Sequence, residues 1–148
     1  EGLTLGEETY VPCAACHGAT GGGGIGAQLS GGEVLKTFPS PIDTMMWIHL
    51  GAAGGARSDG TYGSLDREGG PHTLDDLPGV MPAYPDMDAE HLAAVTRYIR
   101  ETLSGEEFDE AWAEEYEAWA EEAITLSEEG NLPNERPEVE GEPEVDAG

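Results

Sequence analysis

Residues 12–18 of the chain read Pro-Cys-Ala-Ala-Cys-His-Gly (PCAACHG), and this stretch holds both of its cysteines. Residues 3–16 are predicted to form a short helix that leads into the cysteine pair. Because Cys13 and Cys16 are three residues apart, one helical turn places both sulfur atoms on the same side. His17 follows directly and projects close to the same site. Two thiols and an imidazole are therefore expected to converge at the end of the first helix.

The pattern C-x-x-C-H is the signature of covalent c-type haem attachment, in which two thioethers form to the porphyrin vinyl groups and the imidazole binds the iron. A redox dithiol also uses C-x-x-C, but that motif belongs in a βαβ setting, which this sequence does not indicate. A zinc site needs further ligands, and only the dispersed His49, His72 and His91 are available. Coincidence is a further alternative for so short a pattern. The motif by itself favours haem and leaves the other interpretations open.

A candidate for the second axial iron ligand lies in GVMPAYPDMDAEHLAAVTRYI, residues 79–99. Met81 lies among turn-forming residues, just before the clearest predicted helix of the chain. Asp88 can cap this helix and Gly105 can end it. A methionine thioether opposite a histidine raises the reduction potential of the iron and closes it to substrates.

Other side chains are weaker candidates for that ligand. Met45 and Met46 lie inside a helix predicted over residues 41–50, where methionine is usually core or pocket lining. Met87 lies at the start of the last helix, beyond the turn. His72, in a long polar loop predicted over residues 52–80, is the reserve candidate, and it would lower the potential.

In this order of elements the chain resembles the class I c-type cytochromes, which have C-x-x-C-H near the N-terminus and a Met-Pro element before a C-terminal helix. The resemblance covers residues 3–104. It implies an all-α fold in which cytochrome c-like helices surround one covalent haem c per chain. Gly6 and Tyr10 in the first helix, with Tyr98 in the last, resemble the family's close crossing of terminal helices.

The resemblance also implies the residues that bind the haem, with His17 and Met81 as the metal ligands. The full set is Cys13, Cys16, His17, Leu29, Trp47, Met81 and Tyr84. Many family members have a proline whose carbonyl oxygen accepts the hydrogen bond from the proximal imidazole Nδ1. Ala27 stands at the matching place, and its backbone oxygen can serve equally. Tyr62 is a further candidate for the crevice, and Arg57 or Arg67 for neutralising a propionate.

The glycine-rich loop after His17 contains a G-x-G-x-x-G match at Gly21, Gly23 and Gly26. No strand is predicted before it, so a dinucleotide site is a weak interpretation. Close approach of the chain to the porphyrin explains these glycines better.

Composition restricts the partners. The chain has 31 acidic and 6 basic residues, a formal net charge of -25. Nucleic acid and anionic membrane surfaces should repel it, and basic docking faces should attract it. No apolar run is long enough to span a membrane. With 22 glycines and only 2 phenylalanines, the core is expected to be completed by another apolar body.

The acidic residues concentrate towards the C-terminus, since residues 101–148 hold 18 of them and a single basic residue, Arg136. Three regions are therefore predicted: a haem domain over residues 1–104, an acidic amphipathic helical extension over residues 105–129, and a disordered acidic tail over residues 130–148. The apolar stripe of the extension consists of Phe108, Trp112, Tyr116, Trp119 and Ala123. The extension could dock a partner, pack on its own haem domain, or maintain solubility in a saline habitat.

The function expected from these features is electron transfer by a monohaem cytochrome that cycles between Fe(II) and Fe(III), and not enzymatic catalysis. The protein would act as a soluble shuttle or as the haem subunit of a respiratory membrane complex. The resemblance implies a location outside the cytoplasm, in the periplasm or at the outer face of the cytoplasmic membrane. Since the chain begins with Glu1, a leader or anchor would be removed or lie outside it. A haem-based sensor with a displaceable sixth ligand is the alternative from a different class.

Overall fold

The structure is a computed structural model that describes residues 2–24, 26–67, 69–76 and 79–142. Its helices are α1 (Gly2–His17), α2 (Glu33–Thr37), α3 (Pro41–Gly55), α4 (Ala89–Arg97) and α5 (Glu110–Glu128). Helix content is 52% and strand content 4%, which confirms the all-α class. Within the described ranges, no helix is both long enough and apolar enough to cross a membrane.

Helix boundaries follow local capping chemistry. The Ser40 side chain accepts a hydrogen bond from the Ile42 amide, and Pro41 begins α3. Asp88 caps α4 by accepting from the His91 amide. A π-helical turn, Tyr98–Leu103, then continues α4. Gly105 follows with a φ of 83°, so this composite helix ends where the sequence predicts.

Two expectations about the middle of the chain need correction. The loop predicted over residues 52–80 contains a small antiparallel pair, β1 (Thr61–Tyr62) and β2 (His72–Thr73), with Tyr62 opposite His72. Strands of two residues are too short to produce a visible alternation of apolar and polar side chains. Helix α3 also continues to Gly55, past an interruption at Gly51, where φ is 69°.

Helices α1 and α4 cross at very short range. A Cβ atom on Gly6 would lie 2.3 Å from the Ala94 carbonyl oxygen and 2.8 Å from the Tyr98 Cβ. One turn further along α1, the rings of Tyr10 and Tyr98 are 5.4 Å apart. The crossing predicted from Gly6, Tyr10 and Tyr98 is therefore confirmed, and it supports the helix that carries the cysteines.

Helix α5 packs on its own domain, against α3 and α4. Tyr116, Trp119 and Ala123 are buried there in the main hydrophobic core. Phe108 departs from the predicted stripe, because α5 begins only at Glu110 and the ring remains 61% exposed beneath the Arg97 guanidinium. The described helix thus uses its apolar face within the chain.

Residues 130–142 also contact the preceding part of the chain. Arg136 pairs with Asp43 on α3 and with Glu142, each at 2.8 Å. The Asn134 amide donates to the Asp43 carboxylate at 2.8 Å, and Glu135 pairs with Arg57. The Pro- and Glu-rich composition did not indicate these contacts, because they depend on acids and bases far apart in sequence. Residues 143–148, the rest of the predicted disordered tail, lie outside the described residues.

Replacement of Trp119 by alanine tests the packing of α5. Trp119 is 4% exposed, so Trp119→Ala should lower the free energy of unfolding by ~3–5 kcal/mol. Guanidinium denaturation followed by circular dichroism measures this loss. Glu117→Ala, at an exposed position of the same helix, should change it by less than ~0.5 kcal/mol. Equal effects of the two substitutions would show that α5 does not pack as described.

Candidate cofactor site

An apolar cavity opens between the end of α1, helix α3 and the segment before α4. It encloses about 1370 Å³ of empty space, part of which is open solvent at its mouth. Every residue predicted to bind the cofactor lines it: Cys13, Cys16, His17, Leu29, Trp47, Met81 and Tyr84. The fold thus gathers side chains that are spread over residues 13–84.

His17 is the last residue of α1, and its orientation is fixed by one hydrogen bond. Its Nδ1 lies 2.8 Å from the Ala27 carbonyl oxygen. Since a carbonyl only accepts, Nδ1 carries the proton and Nε2 is left as the nitrogen that can bind a metal. The prediction that alanine supplies this backbone acceptor is confirmed.

The glycine-rich loop folds back onto the end of α1. The Gly23 amide donates to the His17 carbonyl, and the Gly26 amide to the Cys16 carbonyl, both at 2.8 Å. A Cβ on Gly26 would lie only 2.8 Å from the His17 Cε1 and 2.9 Å from its Nδ1. At Gly26 the loop therefore comes into close contact with the imidazole ring, and the predicted close approach of this loop to the porphyrin stays a prediction.

The cysteines lie half-buried in the cavity wall. Burial raises the pKa of the Cys13 thiol. Burial also raises the pKa of Tyr84, with a further contribution from the nearby Cys13 and Cys16.

Met81 is tied to α3, since its carbonyl oxygen accepts from the Ala52 amide at 3.0 Å. Met87 also lines the cavity. Met45 and Met46 are fully buried in the core, with 0% exposure, as expected for helix-interior methionines. The choice of Met81 over Met87 stays a prediction, because both side chains line the cavity.

His72 lines the cavity as part of an aromatic stack. Its ring stacks on Tyr62 at 5.3 Å, and Tyr62 stacks on Trp47 at 4.3 Å. Neither Arg57 nor Arg67, the candidates for a propionate, is among the cavity-lining residues. Arg57 instead donates to the Gly63 carbonyl, and Arg67 pairs with Glu33.

The cavity wall also contains residues that the sequence analysis did not assign to the site: Val34, Thr37, Phe38, Ile48, Val95 and Ile99. Helical periodicity places several of these residues on the apolar face of a helix. Periodicity cannot distinguish a side chain that faces the core from one that faces a cavity, because both lie on the buried side of a helix.

The cavity meets the requirements of a covalently attached haem. It offers two thiols and an imidazole with a free Nε2 along one wall, a thioether from Met81, and a mostly apolar lining for the macrocycle. These are the donor types that c-type haem uses.

Comparison with known proteins points the same way. A family model described as cytochrome c matches residues 3–103. Neither a curated protein nor a solved structure gives a significant match.

Two glycine-to-alanine substitutions test whether the close contact of Gly26 holds the His17 ring in place. Gly26→Ala should push the imidazole away from the Ala27 carbonyl and lower the free energy of unfolding by ~1–3 kcal/mol. Hydrogen exchange of the His17 Nδ1 proton, followed by NMR in the reduced protein, should become faster. Gly22→Ala is the matched control, because a Cβ there would meet nothing within 4 Å. If both substitutions behave alike, Gly26 does not support the ring.

Proposed function

Because the chain belongs to the cytochrome c family, we propose that it is a monohaem electron carrier whose iron is held by His17 and Met81. Family membership and the Cys13/Cys16 pair establish covalently bound haem c and haem-based electron transfer in general. The observation that supports the axial pair most is the His17–Ala27 hydrogen bond, which leaves Nε2 free in a cavity that Met81 also lines.

The bound haem supplies a one-electron couple between Fe(II) and Fe(III). The chain's own residues hold the haem and set its reduction potential. Cys13 and Cys16 provide the thioether links, and the Ala27 carbonyl orients the His17 ring and strengthens it as a donor. Trp47 and the other apolar lining residues exclude water. As a ligand of the iron, the Met81 thioether would favour the reduced state and raise the reduction potential of the haem.

Members of this family are generally electron carriers and not enzymes. We propose that the present chain is likewise an electron carrier without an enzymatic activity of its own. With His17 and Met81 both on the iron, a substrate would have no coordination position. The alternative function, a ligand-binding sensor, requires a sixth ligand that leaves readily. Tethering of the Met81 carbonyl to the Ala52 amide favours the electron carrier.

We further propose a redox partner with a basic docking face and a location outside the cytoplasm, in the periplasm or at the outer face of the cytoplasmic membrane. The exposed carboxylates of α5 support the charge argument. Seven acidic residues of this helix are exposed: Glu110, Glu114, Glu115, Glu117, Glu121, Glu122 and Glu128. The negative electrostatic field of these carboxylates accelerates the encounter with a positively charged partner. Since the apolar face of α5 is buried in the chain's own core, docking would rely on charge, for a soluble shuttle and for a respiratory-complex subunit alike.

Substitution of Met81 tests the axial assignment. Met81→Ala should abolish the weak long-wavelength charge-transfer band that a thioether gives with ferric haem. It should also lower the midpoint potential and allow the reduced protein to bind carbon monoxide rapidly, because the sixth position opens. Visible absorption spectroscopy and redox titration measure these changes.

Met87→Ala is the control, since Met87 lines the same cavity; it should leave the charge-transfer band in place. Persistence of the band in Met81→Ala, or its loss in Met87→Ala or His72→Ala, would contradict the assignment. Rapid carbon monoxide binding by the reduced wild type would favour the sensor.

Neutralisation of the acidic side of α5 tests the partner proposal. The triple variant Glu114→Gln, Glu117→Gln, Glu121→Gln should slow electron transfer to a strongly basic acceptor protein by ~3-fold or more at low salt, because steering depends on local field. Stopped-flow measurements at several salt concentrations give the rate and its salt dependence.

A variant with the same change in net charge serves as the control. It is Asp66→Asn, Glu138→Gln, Glu140→Gln, at exposed positions outside α5. An equal loss of rate in both variants would mean that only net charge matters and that α5 is not the docking side.

A further inference from the structure

Helix α3 is interrupted at Gly51, at the point where the segment Met81–Tyr84 lies against it. Gly51 has φ 69° and ψ 179°, a conformation that glycine adopts readily and other residues rarely do. A Cβ there would lie 2.6 Å from the Ala83 nitrogen and 2.8 Å from the Pro82 carbonyl carbon. Both are backbone atoms, so no side-chain rotation could relieve the overlap.

The interruption redirects the hydrogen bonds of α3 towards this segment. In a regular helix the Ala52 amide would donate to the Ile48 carbonyl. Here the Ala52 amide donates to the Met81 carbonyl at 3.0 Å, and the Ile48 carbonyl accepts from the Tyr84 amide at 3.2 Å. Two bonds between α3 and the Met81 segment thus take the place of one bond within the helix.

These two bonds bracket Pro82 and Ala83, and both of these residues are otherwise exposed. Gly51 itself is buried. The segment therefore rests on α3 at Gly51, and its distance from the helix axis is set by the absence of a side chain there.

We propose that Gly51 is the positioning residue for Met81: its missing side chain and left-handed backbone let the segment lie close enough to α3 to hold the thioether in the cavity. The proposal rests on the proposed role of Met81 as iron ligand. Gly51 acts through the backbone of the segment and touches no reacting atom.

The test compares Gly51→Ala with Gly54→Ala in the holoprotein. Gly54 is exposed in the same helix, and a Cβ there would meet only the Leu50 side chain, at an ordinary 3.4 Å. Gly51→Ala should move the Met81 segment away from α3 and thereby weaken the thioether charge-transfer band. Because Met81 would then leave the iron more readily, the affinity of the ferric protein for added imidazole should rise by ~10-fold or more, the size expected for backbone strain at one residue. Gly54→Ala should match the wild type in both measurements.

Amide hydrogen exchange gives a readout that does not involve the iron. The Ala52 and Tyr84 amides make the two bracketing bonds, so both should exchange faster in Gly51→Ala. If the wild type lacks the charge-transfer band, Met81 is not the iron ligand and the proposed function fails on that point. Amide exchange in Gly51→Ala then still decides separately whether Gly51 positions the segment.

Unchanged band, imidazole affinity and amide exchange in Gly51→Ala would overturn the proposal, even if its melting temperature falls, because a merely structural glycine would affect stability alone. Equal effects in Gly54→Ala would overturn it as well. If Gly51→Ala does not fold, the wild-type holoprotein decides the question. Its Ala52 and Tyr84 amides should both be protected from hydrogen exchange, and exchange of either at the rate of an exposed amide would overturn the proposal.

Discussion

The hydrogen bond between the His17 imidazole and the Ala27 carbonyl is the constraint on which the rest of the site depends. It selects the tautomer with Nε2 free and holds the ring at the end of α1. The loop can return to make this bond only because Gly26 lets the backbone pass within contact distance of the ring. The same short segment therefore presents the cysteines, orients the imidazole and closes one wall of the cavity.

The opposite wall is built by different means. Helix α3 contributes Trp47 and Ile48, and its interruption at Gly51 receives the Met81 segment. Helix α5 packs against α3, and Arg136 pairs with Asp43 of the same helix. The acidic extension thus contributes to the stability of the haem domain, while its exposed carboxylates remain available for electrostatic steering.

Local chemistry made much of this predictable. The spacing of Cys13, Cys16 and His17 defined the attachment site, capping by Asp88 located the start of α4, and the Ala27 acceptor followed from the family resemblance. The β pair, the Arg136–Asp43 contact and the redirected hydrogen bonds at Gly51 were not predicted. Each of these joins residues distant in sequence, and the patterns of single segments do not encode such pairings.

X-ray absorption spectroscopy at the iron edge of the purified oxidised protein tests the central claim most directly, since it reports the atoms bound to the iron. A shell of nitrogen scatterers with one sulfur at thioether distance is predicted, from the porphyrin, His17 and Met81. A shell of nitrogen alone would contradict the account and assign the second axial position to another ligand such as His72, and an absence of iron from the protein would contradict it altogether.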